Sequence, residues 1–197
     1  MRKTASGGFV ARFARSSLIC FALGATVGSA LDAIHTHSGT TVYATEIGLK
    51  MAWWTPPLFG LAGLGTGIGY PLLELRTKQR LVVATWSAAL SAFALFVGLY
   101  FVSGYLPASN PIKLAVLTIG ACVLYAFFAR SKIALVLALV AAIVGPLVEI
   151  TLISQGAFRH LQPDFFGIPI WLPALYASGS LGFGIVGHRL HNVRKES

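Results

Sequence analysis

The chain is poor in charge. Only 11% of its 197 residues are Asp, Glu, Lys or Arg, against about a quarter in an ordinary soluble domain. That is too little to cover a water-facing surface, so a soluble globule is excluded. Acidic residues are scarcest, at six. Cysteine is limited to Cys20 and Cys122, each inside an apolar run and without a neighbour at metal-binding spacing. This excludes a disulfide framework and a cysteine metal centre, and both thiols read as small core groups. No loop is long enough to hold a separate soluble domain. Disorder is excluded by the opposite property: 56% of residues are hydrophobic and the mean hydropathy is +0.76.

What fills the chain is a series of apolar runs of membrane-spanning length, about 20 residues each. They fall at about 18–34, 53–75, 81–102, 112–129, 133–154 and 166–187. The fold class is therefore all-α, a polytopic membrane protein of six transmembrane helices in one domain over 1–197. A basic arm, 1–17, precedes it and a basic tail, 188–197, ends it. The first run, with its basic start and the small residues Gly28-Ser29-Ala30, also has the form of a cleaved signal. It is expected to be a retained helix.

The basic residues alternate with the spans. Arg2, Lys3, Arg12 and Arg15 precede the first, and Arg76, Lys78 and Arg80 separate the second and third. Arg130 and Lys132 lie between the fourth and fifth, while Arg189, Arg194 and Lys195 follow the sixth. Only Lys50, Lys113 and Arg159 fall on the other side. Such asymmetry predicts both termini in the cytoplasm. It also accounts for the net charge of +9 through anionic headgroups, with no nucleic-acid partner.

Polar groups inside the spans are few. Asp32 and Glu149 lie towards the outer ends of theirs. Glu149 is 16 residues beyond Ile133, about 24 Å of helix in a core of about 30 Å. An intramembrane carboxylate is a functional candidate, although these two are shallow enough to reach interfacial water. Glu46 and Lys50, four apart, would pair on a helix. His35 and His37 have no third ligand nearby, so no metal is expected. Gly65-Thr66-Gly67-Ile68-Gly69 lacks the lysine of a phosphate loop. The pairs Gly24/Gly28, Gly63/Gly67 and Gly65/Gly69 instead permit close helix approach.

Pro56, Pro57, Pro71, Pro146, Pro169 and Pro173 fall within or beside the spans. Interior prolines free carbonyls and kink helices, which lipid tolerates where helices pack or line a cavity. Kinked helices lined by Trp, Phe and Leu would leave a wedge suited to an acyl chain or a sterol. Trp53 and Trp54 either face such a wedge or anchor the membrane boundary.

Several stretches resemble the insulin-induced-gene (Insig) family of sterol-responsive membrane proteins. One is Ala52-Trp53-Trp54-Thr55-Pro56-Pro57, followed by Gly60 and Gly69-Tyr70-Pro71. Another is Arg130-Ser131-Lys132. Further matches are Gln155-Gly156, Pro163-Asp164-Phe165, Trp171-Leu172-Pro173, Ser178-Gly179, Gly187 with Arg189-Leu190, and Phe96-Val97-Gly98. The similarity covers most of the chain from the second span onward. It implies six spans with cytoplasmic termini and a non-enzymatic protein that holds a lipid, a sterol in animal members, among its helices. Phe96 matches a position linked to sterol response.

Two departures matter. The family's Asp before Arg-Ser-Arg is Ala129 here, which weighs against a sterol-sensing escort partner. The family's Gln at the start of the fourth span is absent near Ile112 and Lys113, which weighs against a sterol ligand. A prokaryotic relative in a plasma membrane is implied, with a lipid of small polar head such as diacylglycerol. Expected lipid contacts are Trp53, Trp54, Pro56, Pro57, Gly60, Phe96, Glu149 and Trp171. Bound lipid is the only cofactor expected, and the glycine faces suit a homo-oligomer, with a trimer as the working number. A small-solute or ion transporter is the alternative. An intramembrane lipid-modifying enzyme built on Asp32, His35, His37 and His160 is the third reading. Asp164 is expected to cap the sixth span.

Overall fold

The computed structural model describes residues 3–79 and 81–192, without the side chains of 3–10 and Arg12. Of the basic residues counted above, Arg2, Arg80, Arg194 and Lys195 lie outside the described residues, as do the side chains of Lys3 and Arg12. So do the first two residues of the arm and most of the tail.

The chain opens with α1 (Lys3–Leu23) and α2 (Ser29–His37), joined without a break by a π-helical turn, Gly24–Gly28. Within that turn Thr26 Oγ1 donates to the Ala22 carbonyl at 2.7 Å. A strand, β1 (Thr41–Tyr43), and a single 3-10 turn, Gly48–Lys50, lead to α3 (Thr55–Thr77). Then follow α4 (Trp86–Tyr105), α5 (Asn110–Phe128), α6 (Lys132–Ser154), β2 (Phe158–His160) and α7 (Leu172–Asn192). Thr85 and Ser131 start α4 and α6 by accepting from Ala88 N and Ala134 N, supplying partners to first-turn N–H groups.

Five helical segments are long and apolar enough to cross a membrane: Phe13–His37, α3, α4, α5 and α6. The expected sixth span is less simple. Phe166 lies in a loop with φ of 49°, and the helix begins only at Leu172. It does not share the apolarity of the other five. The reason is its position. α7 packs against α3, α4, α5 and α6, and Gly182, Gly184, Gly187, Ser178 and Ser180 are all buried. A helix surrounded by other helices needs small residues for close approach more than apolar bulk for lipid. The exposed apolar side chains belong to the outer helices, as with Ile119, Phe127, Leu139 and Ile143.

The glycine pairs divide. Gly24 meets Gly63, and Gly67 meets Gly187, backbone against backbone; a Cβ at any of the four would strike the facing helix or the Cys20 side chain packed on it. Gly65 faces open space and Gly69 faces Leu137, so that pair forms no common packing face.

The prolines divide too. Pro56 and Pro57 occupy the first turn of α3, where their missing N–H groups would have no helical partner. Pro169 precedes α7 and Pro173 sits in its first turn. Only Pro71 and Pro146 are interior to a helix. The Glu46–Lys50 pair does not form, because residues 44–54 are not α-helical and Leu49 and Lys50 both have positive φ.

The bundle has two distinct ends. At one, Ser16, Glu74 and Trp86 meet His191, His188 and Arg189 of α7; His188 Nε2 lies 3.0 Å from Glu74 Oε2, and Arg189 stacks over Trp86. At the other, β1 and β2 pair antiparallel, Thr41 opposite His160 and Tyr43 opposite Phe158. This ribbon ties the loop after α2 to the loop after α6.

Candidate functional site

A cavity opens beside the ribbon between α2, α3, α6 and α7. Its narrow interior is about 120 Å³, within about 940 Å³ of atom-free space that includes its open mouth. The wall is largely apolar, with Leu58, Phe59, Ala62, Phe96, Leu175 and Phe183 contributing. Polar groups gather towards the ribbon.

Asp32, buried on α2, accepts from the Tyr43 hydroxyl at 2.8 Å through Oδ2. Glu149, on α6, accepts from Tyr176 of α7 at 2.7 Å through Oε1. Its Oε2 lies 2.7 Å from His160 Nε2 of β2. Burial, and next the charge of Asp32, push the Tyr43 phenol well above its ordinary range. Tyr43 therefore stays neutral and keeps its donor on the carboxylate. Nearby, His35 stacks on Tyr100 with centroids 4.4 Å apart, and its Nε2 lies 2.8 Å from Ser103 Oγ.

Of the expected lipid contacts, Trp54, Phe96 and Glu149 line this cavity. Trp53, next to Trp54, points away and is 68% exposed. Pro56 and Pro57 set the start of α3. Gly60 is buried under the Phe21 ring, between α1 and α3. Trp171 is fully buried behind the polar end, its ring edge-on to His35 and His160 and its Nε1 donating to Asn110 Oδ1 at 3.0 Å.

Asp32, His35 and His160 do converge on the cavity, as the third reading required. His37 does not; its Nδ1 lies 2.7 Å from the Ala33 carbonyl. Ser103, the hydroxyl beside His35, is fully buried and donates to the Tyr100 carbonyl. Asp164 does not cap α7. Its Oδ2 accepts from Ile170 N at 2.7 Å and Asn110 Nδ2 at 2.8 Å, and so fastens the preceding loop to the start of α5. Among the described residues no three metal-binding side chains come together.

Sequence reasoning missed Thr41, Tyr43 and Tyr176. The two tyrosines reach carboxylates 11 and 27 residues away. The available signal was general: a carboxylate in an apolar span needs donors.

No family model matches the chain. Insulin-induced gene 1 protein of Xenopus tropicalis is 29% identical over 184 residues, spanning 89% of this chain and 72% of that protein. The human protein of the same name is 28% identical over 187 residues, 91% of this chain and 66% of its own length. Among solved structures, the mycobacterial Insig homologue MvINS of Mycobacterium vanbaalenii superposes with a TM-score of 0.80 at 25% identity, over 92% of this chain and 96% of that one. The chain is an Insig homologue. The cavity is thus a feature of an Insig-like bundle. A cross-linked trimer of MvINS superposes equally well, with a TM-score of 0.79. The chain spans about two-thirds of the human Insig protein.

Proposed function

We propose that this Insig homologue is a non-enzymatic membrane protein that holds one lipid, diacylglycerol-like or sterol-like, in the cavity beside the ribbon, and that it serves as a lipid sensor. One observation carries the reading: an apolar channel between helices leads to a buried cluster of hydrogen-bonding side chains. Acyl chains or a sterol body suit the Phe96, Phe183 and Leu58 walls, and a polar head suits the end held by Asp32 and Glu149. α7 completes six membrane-crossing helices, shielded by its neighbours from lipid. Both termini face the cytoplasm of a prokaryotic plasma membrane, in keeping with the basic residues at the Glu74–His188 end. A homotrimer is the proposed assembly, by analogy with MvINS. With Ala129 in place of the family's Asp, no sterol-sensing escort partner is proposed.

Native mass spectrometry of the detergent-purified protein, followed by lipid extraction, tests this reading. Retained lipid, displaced as Trp54 or Phe96 is replaced by Ala, is the expected result. Protein that carries no lipid, and whose melting temperature no lipid shifts, would refute it.

A further inference from the structure

The polar end of the cavity holds more hydrogen-bonding capacity than the protein uses. Thr41 and His160, opposite one another in the ribbon, are 3% and 5% exposed. Thr41 Oγ1 and His160 Nδ1 have no partner among the described residues. Asp32 is 6% exposed, and only its Oδ2 is engaged, by Tyr43; Oδ1 accepts from no described residue. All three side chains line the same cavity. Buried polar atoms are seldom left unpaired, because each costs about 1–3 kcal/mol of lost hydration. Three at one end of one cavity mark the place where a ligand's polar atoms belong.

The direction of the missing bonds is fixed by chemistry. Asp32 Oδ1 belongs to a carboxylate, which only accepts. His160 Nε2, 2.7 Å from Glu149 Oε2, carries the proton of that contact. A neutral imidazole then presents Nδ1 as an acceptor. The Thr41 hydroxyl serves either way. Two acceptors and one adaptable hydroxyl call for a head that donates. A phosphate offers acceptors and negative charge to a wall that already holds Asp32 and Glu149.

We propose that Asp32, Thr41 and His160 form a head-reading site that selects lipids with an uncharged, hydroxyl-donating head and rejects phosphorylated ones. This rests on the lipid-cavity reading and adds the residues and the rule by which the lipid is chosen. Asp32 is the principal discriminator, since its free oxygen sits beside the one Tyr43 already holds.

Three probes with the same acyl chains separate the possibilities: dioleoylglycerol, the methyl ether of its free hydroxyl, and the phosphate ester of that hydroxyl. Affinities would be measured on the full chain in detergent. The wild type should bind the free alcohol at least about tenfold more tightly than either derivative, the worth of one well-made buried hydrogen bond. Asp32→Asn, which brings an amide donor in place of a carboxylate oxygen, should draw the three affinities to within about threefold of one another. Thr41→Val keeps the shape and should weaken the alcohol more than the ether. Should Asp32→Asn not fold, the wild-type ranking and Thr41→Val still decide. Equal wild-type binding of all three probes, or an unchanged ranking in Asp32→Asn, overturns the head-reading site while leaving the lipid cavity intact. Binding of none of them removes the cavity reading and this site together.

Discussion

Tyr176 donates to Glu149 Oε1 at 2.7 Å and so fastens the central helix α7 to α6 at the polar end of the cavity. The second oxygen of the same carboxylate meets His160 of the ribbon. One side chain thereby positions two helices and the strand that closes them. Tyr176→Phe should lower thermal stability by about 1–2 kcal/mol, because the carboxylate loses a donor it cannot replace from lipid. An unchanged melting temperature in detergent would show that water or a neighbour substitutes freely.

Tyr43 and Asp32 form the analogous pair on the opposite wall. Because burial raises the Tyr43 phenol, the folded chain keeps its proton where the unfolded chain, near pH 10, releases it. The stabilisation is complete below about pH 10 and is lost as pH rises above that value. Tyr43→Phe should flatten this alkaline decline in the melting temperature relative to the wild type. Parallel declines in both proteins would assign the effect to other groups.

The glycines of α3 offer a matched comparison. Gly67→Ala places a methyl against the Cys20 side chain and the Gly187 backbone, whereas Gly65→Ala enters open space. The first should cost about 1–3 kcal/mol through overpacking. The second should be neutral or slightly stabilising, since Ala is the better helix former. Equal melting temperatures for the two would contradict the helix approach described above.

Adjacent tryptophans provide a second contrast. Trp54 lines the cavity and packs edge-on against Tyr43, while Trp53 faces outward. Trp54→Ala should reduce co-purified lipid severalfold, and Trp53→Ala should leave it near the wild-type amount. Mass spectrometric quantification of retained lipid reads both. A larger loss in Trp53→Ala would place the lipid outside the cavity.

Asp164 and Asn110 share one network with Ile170 N and Trp171. Asp164→Ala and Asn110→Ala should each cost about 1 kcal/mol. Their combination should cost less than the sum, since each removes the same contact. Strict additivity in chemical or thermal denaturation would separate the two residues.

The spans were legible because lipid imposes a simple demand: long apolar runs with their polar ends outside. Ile133–Ser154 was read to within one residue of the observed α6. Gly63 and Gly67 were legible as a packing face, since only glycine admits so close a backbone. The sixth run was read too early, at Phe166. Its helix is screened by others, and Gly and Ser chosen for close approach leave no sharp apolar boundary. Pro56 and Pro57 resemble kinks in a string of letters; only the position of Thr55 at the start of α3 shows that they begin a helix.

Composition and periodicity alone determined that this chain lives in a bilayer, where its apolar helices lie and which carboxylates are anomalous there. Both follow from local solvation, which each segment meets independently. The pairing of Asp32 with Tyr43, of Glu149 with Tyr176 and His160, and the cavity they bound, were decided only by tertiary structure. Those contacts join separate elements, and their distances depend on how the helices cross and where the ribbon closes. No spacing along the chain encodes that.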